Sequence, residues 1–369
     1  MQGPLLALNT VARDAILLYD VGTGQTRRLR FGEGLQHVWD FTPDGCRLLF
    51  TRENAAGQMR LYSAKLDGSD VQTMVQYDEL PEEAWHIWEP QISPDGARIA
   101  FTMRRQQPQR NNETLTTHHI AWINATPNST PQFYSVTGRE HSPQWSPDGR
   151  WLVYTSSDER AAGVNVFATA IPTLEPAPDQ QVRTSTTLTE ADLWLVSADG
   201  SDKYRLTNFD TGSATEPRWS PDGDLIAFVY SPSNANDTIW MIANQRGAIP
   251  TQLTFQWSMV LDHRWLPDSA YVLSSLREFR ELAANRLWRV PLVGGADANV
   301  QPYLDDLDLT HADFPRFSAD GSFLALRTAY ELAIVDLAAN TVQRISTVGL
   351  GNTPPVWSPA AFLGEASCA

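Results

Sequence analysis

Six ionisable side chains recur at one kind of place in this sequence. His37, Glu89, His141, Glu216, Asp262 and Asp313 each stand a few residues before a short turn of the form Ser-Pro-Asp-Gly or a relative of it. Thr353 stands at the seventh such place. Imidazoles and carboxylates ligate divalent cations, and carboxylates also dock lysine and arginine side chains. If the fold gathers the six, they make a ring able to hold a cation or the basic side chain of a partner. The plain alternative is a wet, polar surface with no ligand. His118-His119 has neither helical nor metal-ligand spacing and reads as a solvated strand edge.

Other chemistry has no foothold. The chain has no Gly-x-Ser-x-Gly nucleophile elbow, no phosphate-binding P-loop, no His-Glu-x-x-His and no Cys-x-x-Cys. No stretch is left over for an α/β-hydrolase domain. Cys46 and Cys368 lie at opposite ends of the chain and read as free thiols, which leaves the redox compartment open.

The elements that must position the ring come from a repeat. The turns are Phe41-Thr-Pro-Asp-Gly45, Ile92-Ser-Pro-Asp-Gly96, Trp145-Ser-Pro-Asp-Gly149 and Trp219-Ser-Pro-Asp-Gly223. Worn copies follow at Trp265-Leu-Pro-Asp-Ser269 and Phe317-Ser-Ala-Asp-Gly321, with a half-copy at Trp357-Ser-Pro-Ala360. Pro presets φ, Asp bonds local backbone and Gly takes positive φ, so each turn joins two antiparallel strands. An apolar run such as Ile226-Ala227-Phe228 comes next, then a third strand such as Thr238-Ile-Trp-Met241, then a short fourth such as Thr251-Gln-Leu-Thr254. Four strands repeating every 40–50 residues are the signature of propeller blades.

The ends complement each other. Pro4-Leu-Leu-Ala-Leu-Asn9 reads as a second strand lacking its first, and Pro355-Val-Trp-Ser358 as a first strand lacking its second. Together they predict a composite blade that closes the ring and removes exposed edges. The expectation is therefore an all-β, seven-bladed propeller in one domain, with a six-bladed ring as the second choice. The composite blade covers 4–30 with 353–362, and the others about 37–77, 86–137, 141–207, 214–255, 261–304 and 311–347. In that fold the six ionisable residues precede the innermost strands and ring one mouth of the central channel. An insertion between Thr155 and Asp192, and a polar loop from Arg104 to Thr117, fall on the same face.

The formal net charge of −15 excludes a phosphate backbone as the natural ligand and suits a basic partner or a cation. With 10% aromatic and only 19% charged residues, disorder is excluded too. No run approaches 18 apolar residues, and the N-terminus does not read as a signal peptide, so no membrane insertion is expected. A closed ring offers few sticky edges, which predicts a monomer.

The motifs Trp219-Ser-Pro-Asp-Gly-Asp-Leu-Ile-Ala-Phe228 and Ile92-Ser-Pro-Asp-Gly-Ala-Arg-Ile-Ala-Phe101, with Tyr204-Arg-Leu-Thr207 and Thr251-Gln-Leu-Thr254, resemble the TolB-like, WD-repeat-related β-propeller family. The resemblance covers nearly the whole chain. It implies a protein-interaction or scaffolding role and an extracytoplasmic setting. Related propellers also gate prolyl oligopeptidase-type peptidases, and a metal-dependent pectate-fragment lyase uses a similar one. The leading expectation is thus a non-enzymatic module that binds a protein or peptide of basic character at the channel mouth, with no required cofactor. The alternatives are a lyase or hydrolase holding a divalent cation in the channel, and a regulatory propeller of a larger sensor or peptidase.

Overall fold

The computed structural model describes all residues except 2, 77–83, 109–113, 135–137, 158–189, 233–234, 255–257, 279–283, 294–299, 330, 347–348, 360–361, 363 and 369. Seven four-stranded antiparallel sheets form the blades of a propeller. Their innermost strands are Val356–Trp357 (blade 1), Gln36–Phe41 (blade 2), Ala84–Ile92 (blade 3), Glu140–Trp145 (blade 4), Ser213–Trp219 (blade 5), Ser258–Trp265 (blade 6) and Asp313–Phe317 (blade 7). No helix among the described residues is long and apolar enough to cross a bilayer.

Each turn does the work its sequence promises and more. In Ser93-Pro-Asp-Gly96 the Asp95 carboxylate accepts from the Ser93 hydroxyl (2.6 Å) and the Ala97 amide (3.0 Å), while Ser93 Oγ accepts from the Arg98 amide (2.9 Å). The same lattice recurs at Ser146/Asp148, Ser220/Asp222 and Ser318/Asp320. Gly96 sits at φ 71°, where a side chain would be strained.

The apolar runs form the second strands, which neighbouring blades cover on both faces. Ile226, Ala227 and Phe228 are all fully buried, which is why the run is continuous rather than alternating. The core is a set of clusters between adjacent blades. One joins Leu5, Ile16 and Leu18 of blade 1 to Val38, Phe41, Leu48 and Phe50 of blade 2. The turn tryptophans add a directional bond. Trp145, Trp219, Trp265 and Trp357 donate Nε1–H to the carbonyls of Gln91, Gln144, Arg218 and Arg316 in the preceding blade, at 2.8–3.2 Å.

Blade 1 is the composite. Leu5–Asn9 pairs with Val356–Trp357 in the register Leu6↔Trp357 and Ala7↔Val356. Asn9 Nδ2 donates to Thr353 Oγ1 (3.1 Å), and Asn9 Oδ1 accepts from the Val38 amide (2.9 Å), so one side chain ties both ends of the chain to blade 2.

Three expectations need correction. Cys46 and Cys368 are not free thiols: they form a disulfide with Cα atoms 5.3 Å apart. Ring closure carries the C-terminal segment back to the first turn of blade 2, where Phe362 packs over Gly45. The stretch from Arg104 to Thr117 is largely not loop, because the flanking strands run on as Arg98–Pro108 and Thr114–Asn124 and pair throughout. His119 is buried rather than solvated, with its ring edge-on to Phe133 and near Trp85. Most of the insertion between Thr155 and Asp192 lies outside the described residues.

Candidate functional site

Six inner strands share one irregularity. Pairing with the second strand shifts between Val38 and Asp40, Trp88 and Gln91, His141 and Gln144, Thr215 and Arg218, Val260 and Asp262, and Asp313 and Arg316. Four of these bulges contain a residue followed by proline: Glu89, Ser142, Glu216 and Phe314, all at φ 50–56°. Proline donates nothing to the ladder and bars its predecessor from right-handed helical geometry. A left-handed non-glycine residue costs about 1–3 kcal/mol, so the surrounding sheet must hold it there. Bulges re-aim side chains, and here they set up contacts between blades.

The six sequence-selected residues lie within the inner strands rather than before them, because the strands continue through the bulge. They also belong to two different columns. Glu89, Glu216 and Asp262 stand three residues before the residue that opens the turn (Ile92, Trp219, Trp265); His37, His141 and Asp313 stand four before it (Phe41, Trp145, Phe317).

Asp262 is the centre of the best-defined cluster. Its side chain is 8% exposed. Oδ1 accepts from the His263 amide (2.8 Å) and faces Arg264 Nη1 (3.2 Å), while Oδ2 accepts from Arg316 Nη1 in the next blade (2.8 Å). Burial alone would raise this carboxyl, but Arg264, Arg316 and Arg218 outweigh it and hold it well below the usual range. Glu216 opens to channel water, yet the protein crowding it, with Asp262 and Glu89 nearby, pushes its carboxyl up.

The arginines were not singled out in the sequence. Arg218, Arg264 and Arg316 each stand immediately before the turn aromatic, in three consecutive blades. Each donates Nη1–H to the carbonyl of its own predecessor, at 3.0 Å to Pro217, 2.8 Å to His263 and 2.8 Å to Pro315. Burial and mutual repulsion lower the pKa of Arg264 well below its usual value, and burial lowers that of Arg218. The repeated Arg-Trp, Arg-Trp, Arg-Phe pairs were the signal available.

The other candidates are tied down separately. Glu89 Oε2 accepts from the Ser142 amide in blade 4 (2.9 Å), and Ser142 Oγ lies 3.4 Å from Oε1. His141 Nδ1 is 3.2 Å from Ser142 Oγ, and burial lowers its pKa. Imidazole and carboxylate both reach Ser142 here; a hydrolytic triad instead needs the acid to orient the histidine. Asp313 accepts from Asn285 Nδ2 (2.9 Å), and burial raises its pKa. His37 lies against Trp39 with ring centroids 4.1 Å apart and planes tilted by 39°, and burial with Arg13 lowers it to about 4. Glu89, Glu216 and Asp262 therefore share one charged neighbourhood, Asp313 and His141 border it, and His37 and Thr353 serve local packing and ring closure.

A metal could draw on Glu216, Asp262 and His263, whose donor atoms lie within 4.8 Å of one another. The chemistry of the set opposes it. Both Asp262 oxygens already have partners, and three guanidiniums crowd the same space. His263 alone is in a ligating form: it is fully buried, lowered to about 3 by burial, Arg218 and Arg264, and so a neutral ring, neither nitrogen of which makes a hydrogen bond of normal geometry.

The fold and this wall define the class: a seven-bladed propeller with a charged central channel. No family model matches the chain. An uncharacterized protein of Agrobacterium fabrum, Atu1656, is 26% identical over 138 residues, 37% of this chain and 44% of that one. The uncharacterized peptidase YuxL of Bacillus subtilis is 27% identical over 145 residues, 39% and 17% respectively. These matches thus span less than half the length of either relative. Among solved structures, a Mycobacterium tuberculosis puromycin-hydrolyzing peptidase is similar over 92% of this chain and 53% of its own, with TM-score 0.60 and 12% identity. Oligogalacturonate lyase in complex with manganese covers 87% and 85%, with TM-score 0.58 and 13% identity. TolB from Acinetobacter baumannii covers 97% and 67%, with TM-score 0.50 and 14% identity. At these identities the likeness is one of fold, shared by binding proteins and enzymes alike.

Proposed function

We propose that this protein is a binding module that docks a protein or peptide partner on the channel face built by the inner strands. One observation carries the reading: the carboxylates Asp262, Glu89 and Asp313 of the wall are already held by neighbouring groups, each with at least one partner from another blade. Asp262 is held by Arg264 and Arg316, Glu89 by Ser142 and Asp313 by Asn285. Such a wall is preorganised for recognition, because little side-chain freedom remains to be lost on binding. The overall charge of −15 steers partners of basic net character toward the molecule. The Cys46–Cys368 disulfide favours an oxidising, extracytoplasmic compartment.

The test is selection of peptides from a displayed random library on the intact protein. Selected peptides should compete for one site and weaken about tenfold or more on Arg316→Ala, since charge-assisted bonds of this kind contribute about 1.5–3 kcal/mol. Peptides that bind at scattered sites, indifferent to that substitution, would remove the reading.

A second reading is a metal-dependent lyase or hydrolase. It rests on the Glu216, Asp262 and His263 donors, together with a fold also found in the manganese-bound lyase. Its signature is turnover abolished by a chelator.

A further inference from the structure

We propose that Arg218, Arg264 and Arg316 form a binding site for a single carboxylate in the channel wall of blades 5 to 7. The three guanidiniums occupy the same position of consecutive inner strands and converge on Asp262, two of them by direct ion pairs. Three cations thus share one firmly ionised carboxylate in a chain whose net charge is strongly negative. General solubility does not call for such a cluster, because fully exposed arginines would serve that end without the desolvation penalty of half-buried ones.

Arg218 supplies the second observation. Among the described residues it makes no salt bridge; its one hydrogen bond runs from Nη1 to the Pro217 carbonyl. Its Nε is buried with no partner at all. A half-buried guanidinium whose Nε is sealed from solvent without a partner is costly, and an oxyanion is the group that relieves it. The Nη1 bonds to Pro217, His263 and Pro315 fix all three side chains before any ligand arrives.

The charge of the ligand follows from its surroundings. Glu216 and Glu89 lie within electrostatic reach of Arg218 and oppose a dianion such as phosphate. A monoanionic carboxylate matches the planar guanidinium fork and places less charge against those two acids.

Such a carboxylate has two sources: a small free acid or the C-terminus of a peptide. Only the second rests on the peptide-binding reading above. The experiment is isothermal titration of the intact protein at fixed ionic strength. The probes are sodium acetate, an N-acetylated dipeptide with a free C-terminus, its C-terminal amide, and inorganic phosphate, each against wild type and Arg218→Gln. The expected result is one site per chain, with the free-acid peptide binding about tenfold or more tighter than its amide and weakened similarly by Arg218→Gln. The melting temperature of Arg218→Gln should equal or exceed that of wild type, since the substitution removes a half-buried charge that has no ion-pair partner among the described residues. If acetate binds as tightly as the peptide acid and shows the same dependence on Arg218, the site stands and the free acid is its source. Tighter binding of phosphate, no binding of either carboxylate, or carboxylate binding unmoved by Arg218→Gln would overturn the proposal.

Discussion

At the scale of single residues, the channel wall works by setting charges against burial. Asp40 shows the effect in isolation. Burial raises its carboxyl to about 6 even though it accepts from the amides of Phe41 (2.8 Å) and Ile92 (3.4 Å). A carboxyl raised on folding contributes fully below its unfolded value near 3.8 and loses that contribution as pH climbs through 6. Asp40→Asn removes the charge and keeps an acceptor for the Phe41 amide, at the cost of the longer bond from Ile92. Urea unfolding should find the stability of the variant relative to wild type about 2–3 kcal/mol higher at pH 8 than at pH 4, one pKa unit being about 1.4 kcal/mol. The sequence made part of this wall legible. The polar character of His37, Glu89, His141, Glu216, Asp262 and Asp313 was plain, but a flat strand register merged two columns that the bulges keep apart. Arg218, Arg264 and Arg316 were equally regular. They went unread because a search for ligands and acids passes over groups that are always protonated.

At the scale of elements, the turn and the tryptophan that precedes it form the joint between blades. Where Trp stands, its Nε1 satisfies a carbonyl of the preceding blade; where Phe41, Ile92 or Phe317 stands, that bond has no donor. Trp265→Phe keeps a shape that two other blades already use and orphans only the Arg218 carbonyl. Its cost in unfolding free energy should be about 1–3 kcal/mol by denaturant titration, the penalty of one unsatisfied buried group. The turns themselves were readable because Pro, Asp and Gly each have a distinct backbone task. The serine hydroxyl that locks the turn from inside was not, since it looks like any polar loop residue. The proline-linked bulges at Glu89, Ser142, Glu216 and Phe314 escaped for a related reason. An X-Pro pair near a strand signals an irregularity without saying which way it turns the side chain.

At the scale of the whole molecule, closure decides stability. The composite blade was visible in the sequence because each end carried a strand pattern that lacked the other's. The disulfide was not, because a separation of 322 residues says nothing about distance until the ring is closed. With the ring closed by Leu5–Asn9 against Val356–Trp357, the cross-link fastens the C-terminal segment to blade 2. Cys46→Ser with Cys368→Ser should lower the unfolding free energy by about 2–4 kcal/mol, and reducing agent should lower wild type to the level of the double variant.

The central claim is that the channel wall, with Asp262 taken up by Arg264 and Arg316, waits for a partner rather than a metal. Metal content of protein purified without chelator, paired with thermal melting before and after chelation, tests it most directly. The account predicts no stoichiometric metal and an unchanged melting temperature. About one equivalent of divalent cation per chain, lost together with several degrees of melting temperature, would contradict it and place Glu216, Asp262 and His263 in a metal centre.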